Sequence, residues 1–143
     1  MDMIKQWSDA DARFVRQKVI EHNMQRLPEA LKTPNEDVSV IVKDDAGTIC
    51  GGITAKVFWH HMHMESLWVD ERLRGQGYGS ALLRELEAIA VEKGCRFIHL
   101  DTFSFQAPEF YKQHGYEAFG MLEDHPKGFT QYFLQKRLEG AGR

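Results

Sequence analysis

No long apolar run, no basic run and hardly any cysteine occur in this chain, and each absence narrows what the protein does. None of its 143 residues belongs to an apolar stretch approaching the roughly 20 needed to span a bilayer, so no membrane role is expected. Lys and Arg number 18 against 21 Asp and Glu, for a formal net charge of −3, and the positive residues do not gather into a patch. The electrostatic footprint of a nucleic-acid binder is therefore missing. Cys50 and Cys95 stand alone, without C-x-x-C spacing, and read as buried thiols, not as a disulfide or a metal pair. The opening MDMIKQWSDADARF is polar and acidic and carries no secretory hydrophobic region, so a cytoplasmic setting is expected. Neither repeats nor linkers interrupt the chain. Its length suits one domain over residues 1–143 with a sizeable core.

What the chain does have is VDERLRGQGYGSALL, Val69 to Leu83, a strand that passes through a glycine-rich turn into an amphipathic helix. Gly75, Gly77 and Gly79 let successive backbone N–H groups point into one concavity, and the following helix aims its positive end at the occupant. Arg72 and Arg74 add formal charge, so the expected guest is a phosphate or pyrophosphate. A nucleotide-triphosphate loop requires Gly-x4-Gly-Lys-Ser/Thr, and the lysine is absent. A dinucleotide fold requires G-x-G-x-x-G with an acidic residue about 20 positions on, where this chain has Gly94-Cys95-Arg96.

Along the chain, Ser8 reads as the N-cap of a helix running to about Asn23, with Asp9 and Asp11 in its first turn and Phe14, Val15 and Val19 turned inward. A short helix is expected after Pro28. Val38–Val42 and Thr48–Phe58 read as a hairpin across Asp44-Asp45-Ala46-Gly47, and Met62–Val69 as a third strand. Leu82, Leu83, Leu86, Ile89 and Ala90 repeat with helical period up to a stop at Gly94. A short strand over Phe97–Leu100, a short helix over Ala107–His114 and strands near Tyr116–Leu122 and Phe129–Leu134 complete the reading. This order predicts an α/β (α+β) domain, a mixed sheet with helices on both faces.

The motif Arg/Gln-x-x-Gly-x-Gly, filled by Arg74, Gly77 and Gly79 behind Leu67-Trp68-Val69, resembles the coenzyme A pyrophosphate loop of the GNAT acetyltransferase superfamily. That family's second block, Asn-x-x-Ala-x-x-Phe/Leu-Tyr-x-x-x-Gly-Phe/Tyr, is matched by Ser104, Ala107, Phe110, Tyr111, Gly115 and Tyr116 in SFQAPEFYKQHGY. Two blocks in the family order cover most of the chain, from about Val38 to Leu138. The resemblance implies a single GNAT-like domain with a mostly antiparallel sheet of six to seven strands, about four flanking helices, and a homodimer. It implies acetyl-CoA as co-substrate. The pyrophosphate would sit on the amides of Arg74, Gly75, Gln76, Gly77, Tyr78, Gly79 and Ser80, and the pantetheine arm along the edge of Leu67, Trp68 and Val69, where two strands splay. Ser104 stands where relatives carry the Asn that contacts the arm or orients the tyrosine, and Tyr111 is the implied general acid at the departing sulfur.

A primary amine must lose a proton before it attacks, which for a lysine-like ammonium at pH 7 costs roughly 4 to 5 kcal/mol. Strict alternation along HHMHMESLWV puts His61, His63, Glu65, Leu67 and Val69 on one face, so the candidate base is His63 directly or Glu65 through a water. A zinc reading of His61, His63, Glu65 and His99 has no second element fixed by sequence to complete it, and the chemistry needs no metal. The segments around Phe58, Trp59, Phe103, Phe105 and Phe129, with Glu109, Glu123 and Asp124, form an aromatic, negatively charged rim suited to a cationic amine. The expected function is N-acetyl transfer from acetyl-CoA to a primary amine of a small molecule or peptide. Its rival is a non-catalytic acyl-CoA-binding or regulatory domain, which would have no use for an acid at the sulfur.

Overall fold

The computed structural model describes residues 1–138. Met1–Lys32 form one compact unit and the chain from Thr33 onward a second. In the first, α1 spans Asp9–Arg26, and the Ser8 hydroxyl caps it by accepting the Asp11 N–H at 3.2 Å. Asp9 and Asp11 in the first turn and Arg26 in the last complement the helix dipole. The inward placement of Phe14, Val15 and Val19 is not found: none of the α1 residues is buried. The reason lies in the spacing. Four residues after Phe14 comes Lys18, whose ammonium lies 5.4 Å from the Phe14 ring centre, so the apolar stripe is interrupted. After Pro28 the expected short helix is a single 3₁₀ turn, Glu29–Leu31, because Thr33 precedes Pro34 and is steered away from helical backbone. The described residues thus hold three α-helices, where about four were expected.

The second unit is built on six strands, β1 Glu36–Lys43, β2 Ile49–Phe58, β3 His61–Val69, β4 Phe97–Phe103, β5 Glu117–Leu122 and β6 Gln131–Arg137, in the order β1-β2-β3-β4-β6-β5. All neighbours are antiparallel except β3 and β4. In the β1–β2 turn the Asp44 carboxylate accepts the N–H groups of Ala46 and Thr48, both at 2.9 Å. Between β3 and β4 runs α2, Tyr78–Glu92, whose Leu82, Leu83, Leu86 and Ala90 are buried at i, i+1, i+4 and i+8. They pack into one cluster with Ile53 and Ala55 of β2, Met62 and Met64 of β3, Ile98 and Leu100 of β4 and Leu134 of β6. The short helix α3, Pro108–Gln113, starts with proline at its first turn, where no N–H is needed, and sends Tyr111 into the same cluster. Glu87 of α2 ties this face together, accepting the Tyr116 hydroxyl at 2.9 Å and the Lys136 ammonium at 3.0 Å.

One irregularity governs the rest. Thr54 pairs with Ser66 but Ala55 pairs with Met64, so Glu65 is an extra residue in β3, a β-bulge. Before it the even residues Met62 and Met64 face the core, and after it the odd residues Leu67 and Val69 do. No helix among the described residues is long and apolar enough to cross a membrane.

Leu86 is fully buried at the centre of the α2 contact. Leu86→Ala should lower the unfolding free energy by about 2–5 kcal/mol in urea denaturation, the range for a buried leucine that leaves a cavity.

Candidate active site

β3 and β4 pair over two residue pairs only, Met62 with Ile98 and His63 with His99. Beyond them the strands part, and a cleft of about 790 Å³ opens between Met64–Val69 on one side and Asp101, Thr102 and the Phe105–Tyr111 segment on the other. The glycine-rich turn closes one end. Gly77, with φ of +85°, caps α2, and Gly75 has φ of +77°, both in the left-handed region that favours glycine. The first helical bond runs from the Ala81 N–H to the Gly77 carbonyl at 3.0 Å. The N–H groups of Tyr78, Gly79 and Ser80 therefore have no acceptor within the helix. At Gly79 a side chain would meet the Phe110 ring at 3.5 Å, so this glycine lets α2 and α3 approach closely.

Of the residues singled out in the sequence, Glu65, Leu67, Trp68, Val69, Arg74, Gly75, Gly77, Tyr78, Gly79, Ser80 and Tyr111 all line this cleft. Arg74 Nε donates to the Val69 carbonyl at 3.4 Å, bracing the turn against the end of β3. Arg72 is held by Asp70, Nε to carboxylate at 3.0 Å. Gln76 and Ser104 are placed elsewhere. The Gln76 amide donates to the Arg72 carbonyl at 3.1 Å, and the Ser104 hydroxyl accepts the Thr130 N–H at 3.0 Å, fastening the β4–α3 loop to the approach to β6. In the position left by Ser104 the cleft has Thr102 and Gln106, with Gln106 Oε1 accepting the Thr102 hydroxyl at 3.2 Å and the Phe103 N–H at 2.8 Å. Asp101 and Thr102 escape the sequence reading because the strand extends past its expected end at Leu100. The alternation of β4, with Ile98, Leu100 and Thr102 buried, carries the signal three residues further.

Tyr111 is only 7% exposed, yet its hydroxyl has no hydrogen-bond partner among the described residues and no side-chain polar atom there is both buried and unpaired. The ring is thus packed while the oxygen keeps some exposure, in a residue that lines the cleft. Burial pushes the phenol up to about 12.

His63 is not in the cleft, which corrects the shared face read for His61, His63, Glu65 and Leu67. The bulge at Glu65 changes the parity of β3, so His63 faces away from the core while Glu65, at the bulge, lines the cleft. His63 joins Phe58, Trp59, His61, Phe97, His99, Phe119 and Gln135 around a separate hollow of about 560 Å³. There the imidazole of His99 stacks between His63, at 4.5 Å, and His61, at 5.1 Å. Stacked rings do not converge on one point, and the described residues contain no group of three or more His, Cys, Asp or Glu arranged to hold a metal ion.

Comparison with known proteins bears on this geometry directly. Residues 1–116 match the acetyltransferase (GNAT) family. The chain is similar to blasticidin-S acetyltransferase of Streptomyces morookaense, at 36% identity over 80% of this chain and 85% of the relative. An acetyltransferase of Agrobacterium fabrum is 28% identical over 92% of this chain and 94% of its own. Among solved structures, an acetyltransferase from Bacillus cereus superposes with a TM-score of 0.93 at 51% identity, covering 96% of this chain and 99% of that one.

The histidine stack generates a pH prediction. Burial, then the neighbouring His63 and His61, lowers His99 from 6.5 to about 4. Between those values the unfolded chain binds a proton that the folded chain refuses, so the stability this site contributes is complete above about pH 6.5 and is lost as pH falls toward 4. Urea unfolding between pH 7 and 4 should show a shallower loss of stability in His99→Gln than in the unsubstituted protein. An identical pH slope in both would show that His99 is not responsible.

Proposed function

This chain belongs to the acetyltransferase (GNAT) family, and on that premise we propose that it transfers an acetyl group from acetyl-CoA to a primary amine of a small molecule, or of a peptide, by direct attack in a ternary complex. The observation that carries the reading is one cleft holding an anion cradle, an unpaired strand edge, the Tyr111 hydroxyl and the Glu65 carboxylate. The cradle fits a pyrophosphate. Nothing lies within 4 Å of where a side chain would stand at Gly75 or Gly77, the amides of Tyr78, Gly79 and Ser80 lack helical acceptors, and Arg74 sits alongside. The edge of Leu67–Val69 lacks a β4 partner and suits the amides of a pantetheine arm, which would add to it as a strand does.

Acetyl-CoA supplies an activated acyl carbon and a thiol leaving group. Tyr111, held near 12, keeps its proton at neutral pH and serves as donor to the departing sulfur. A thiol ordinarily titrates near 8.5, so the phenol is the weaker acid and acts chiefly through the hydrogen bond it offers. Glu65 takes the proton of the amine, directly or through a water, and its place on the bulge brings a carboxylate of β3 to the point where the strands part. Asp101 adds a second carboxylate to the cleft lining. Phe105 stacks on Phe103 at 5.3 Å and meets Phe129 edge-on at 5.2 Å. This combination supports a cationic acceptor with an apolar portion. A relative named for the acetylation of blasticidin-S supports a small molecule over a peptide. A single catalytic domain over residues 1–143, a cytoplasmic setting and a homodimer belong to the same reading. The rival, a non-catalytic acyl-CoA-binding domain, leaves the Tyr111 hydroxyl and Glu65 without a use.

Thiol release from acetyl-CoA across a panel of polyamines, amino acids, aminoglycosides, aryl amines and peptides should depend on the acceptor. Tyr111→Phe should reduce that release at least tenfold, and Glu65→Gln by about 10²-fold, while both bind coenzyme A normally. Undiminished turnover in either variant removes that residue from the mechanism. Coenzyme A at ~100 times its dissociation constant should stabilise the protein by about 2.7 kcal/mol, and ATP should not.

A further inference from the structure

Ser80 is the third residue of α2, in the cradle, and its hydroxyl lies 2.9 Å from Nε2 of His114, the residue that caps the C-terminus of α3. His114 thereby joins the two helices that flank the cleft. It follows Tyr111 by one helical turn, its own N–H bonds back to the Tyr111 carbonyl at 3.0 Å, and its ring lies 4.9 Å from that of Phe110, which packs over Gly79. No other residue of α3 makes a side-chain hydrogen bond to α2 among the described residues.

The chemistry of this contact depends on which partner donates. A serine hydroxyl has a single proton. If His114 Nε2 accepts it, Ser80 offers only lone pairs to an anion in the cradle and repels it. If Nε2 carries the proton and donates to Ser80, the hydroxyl proton is free to point at a phosphate oxygen. An anion in the cradle therefore selects the Nε2–H form, and the sequence of donors becomes His114 Nε2–H to Ser80 Oγ and Ser80 Oγ–H to phosphate. We propose that His114 is a positioning residue which sets the Ser80 hydroxyl as a phosphate donor and, through the same bond, links occupation of the pyrophosphate cradle to the placement of the helix that carries Tyr111. The proposal rests on reading the glycine turn as the coenzyme A pyrophosphate site.

A double-mutant cycle on coenzyme A affinity tests it, with titrations of the unsubstituted protein, Ser80→Ala, His114→Ala and the double variant. Each single change should weaken coenzyme A about tenfold, the loss of a hydrogen bond to a charged group, and the double variant should be no weaker than either single one. His114→Gln, whose amide N–H reaches toward the position of Nε2, should restore most of the affinity. Turnover of an acetyl thioester of N-acetylcysteamine, which lacks the pyrophosphate, should lose far less KM in His114→Ala than turnover of acetyl-CoA. In the unsubstituted protein, ¹⁵N resonances of His114 should show Nε2 protonated once coenzyme A is bound, a readout independent of any substitution. Losses that multiply to about a hundredfold in the double variant, an Nε2 without its proton in the complex, or equal damage to both thioesters would overturn the proposal. If the unsubstituted protein does not bind coenzyme A, the reading of the turn fails first and the role of His114 with it.

Discussion

Pairing between β3 and β4 that stops after Met62–Ile98 and His63–His99 is the constraint on which the site depends. Each strand keeps a long antiparallel partner on its outer side, β2 for β3 and β6 for β4, so parting them costs neither strand its place in the sheet. The result is two three-stranded halves, β1-β2-β3 and β4-β6-β5, joined at one end and open at the other. Met62 and Ile98, at the junction, are fully buried under α2. The open end exposes backbone polar groups that would be costly to bury unpaired, and under the proposed function a ligand rich in amides would satisfy them.

The Glu65 bulge acts at the same place. It lies two residues past the last β3–β4 pair and changes which face of β3 looks into the core. One inserted residue thus separates a histidine hollow on one side of the sheet from a carboxylate in the cleft. The glycine turn and α3 then converge from the helix side, held together by Phe110 over Gly79 and by the Ser80–His114 bond. Glu87, Tyr116 and Lys136 tie the segment that follows α3 to α2 and β6, and the Tyr116 N–H bonds back to the Tyr111 carbonyl at 3.1 Å.

The glycine turn was legible because clustered glycines mark a backbone that other residues rarely adopt, and Gly75 and Gly77 do take left-handed angles, while Gly79 lies within α2. The α2 core positions were legible for a related reason: a long amphipathic helix states its period several times over. Tyr111 was legible only through the family block, since nothing in its neighbours distinguishes a packed tyrosine from one that also lines a cleft. The bulge was not legible. Period-two reading assumes that no residue is inserted, and HHMHMESLWV contains no glycine to announce one. The break between β2 and β3 was legible to within a residue, but its conformation was not, its two positive-φ residues being Trp59 and His60 where glycine or asparagine is the usual signal. Apolar residues in α1 misled in the opposite sense, because three of them on one helix do not make a stripe.

The central claim is that the gap between β3 and β4 receives the thioester cofactor along the unpaired edge of β3. Amide hydrogen exchange of the intact protein with and without coenzyme A tests it most directly. The account predicts slowed exchange at Glu65–Val69 and at Tyr78–Ser80, with β1 and β5 unchanged. Coenzyme A that binds while leaving both segments exchanging as before, or that protects a different face of the sheet, would contradict it.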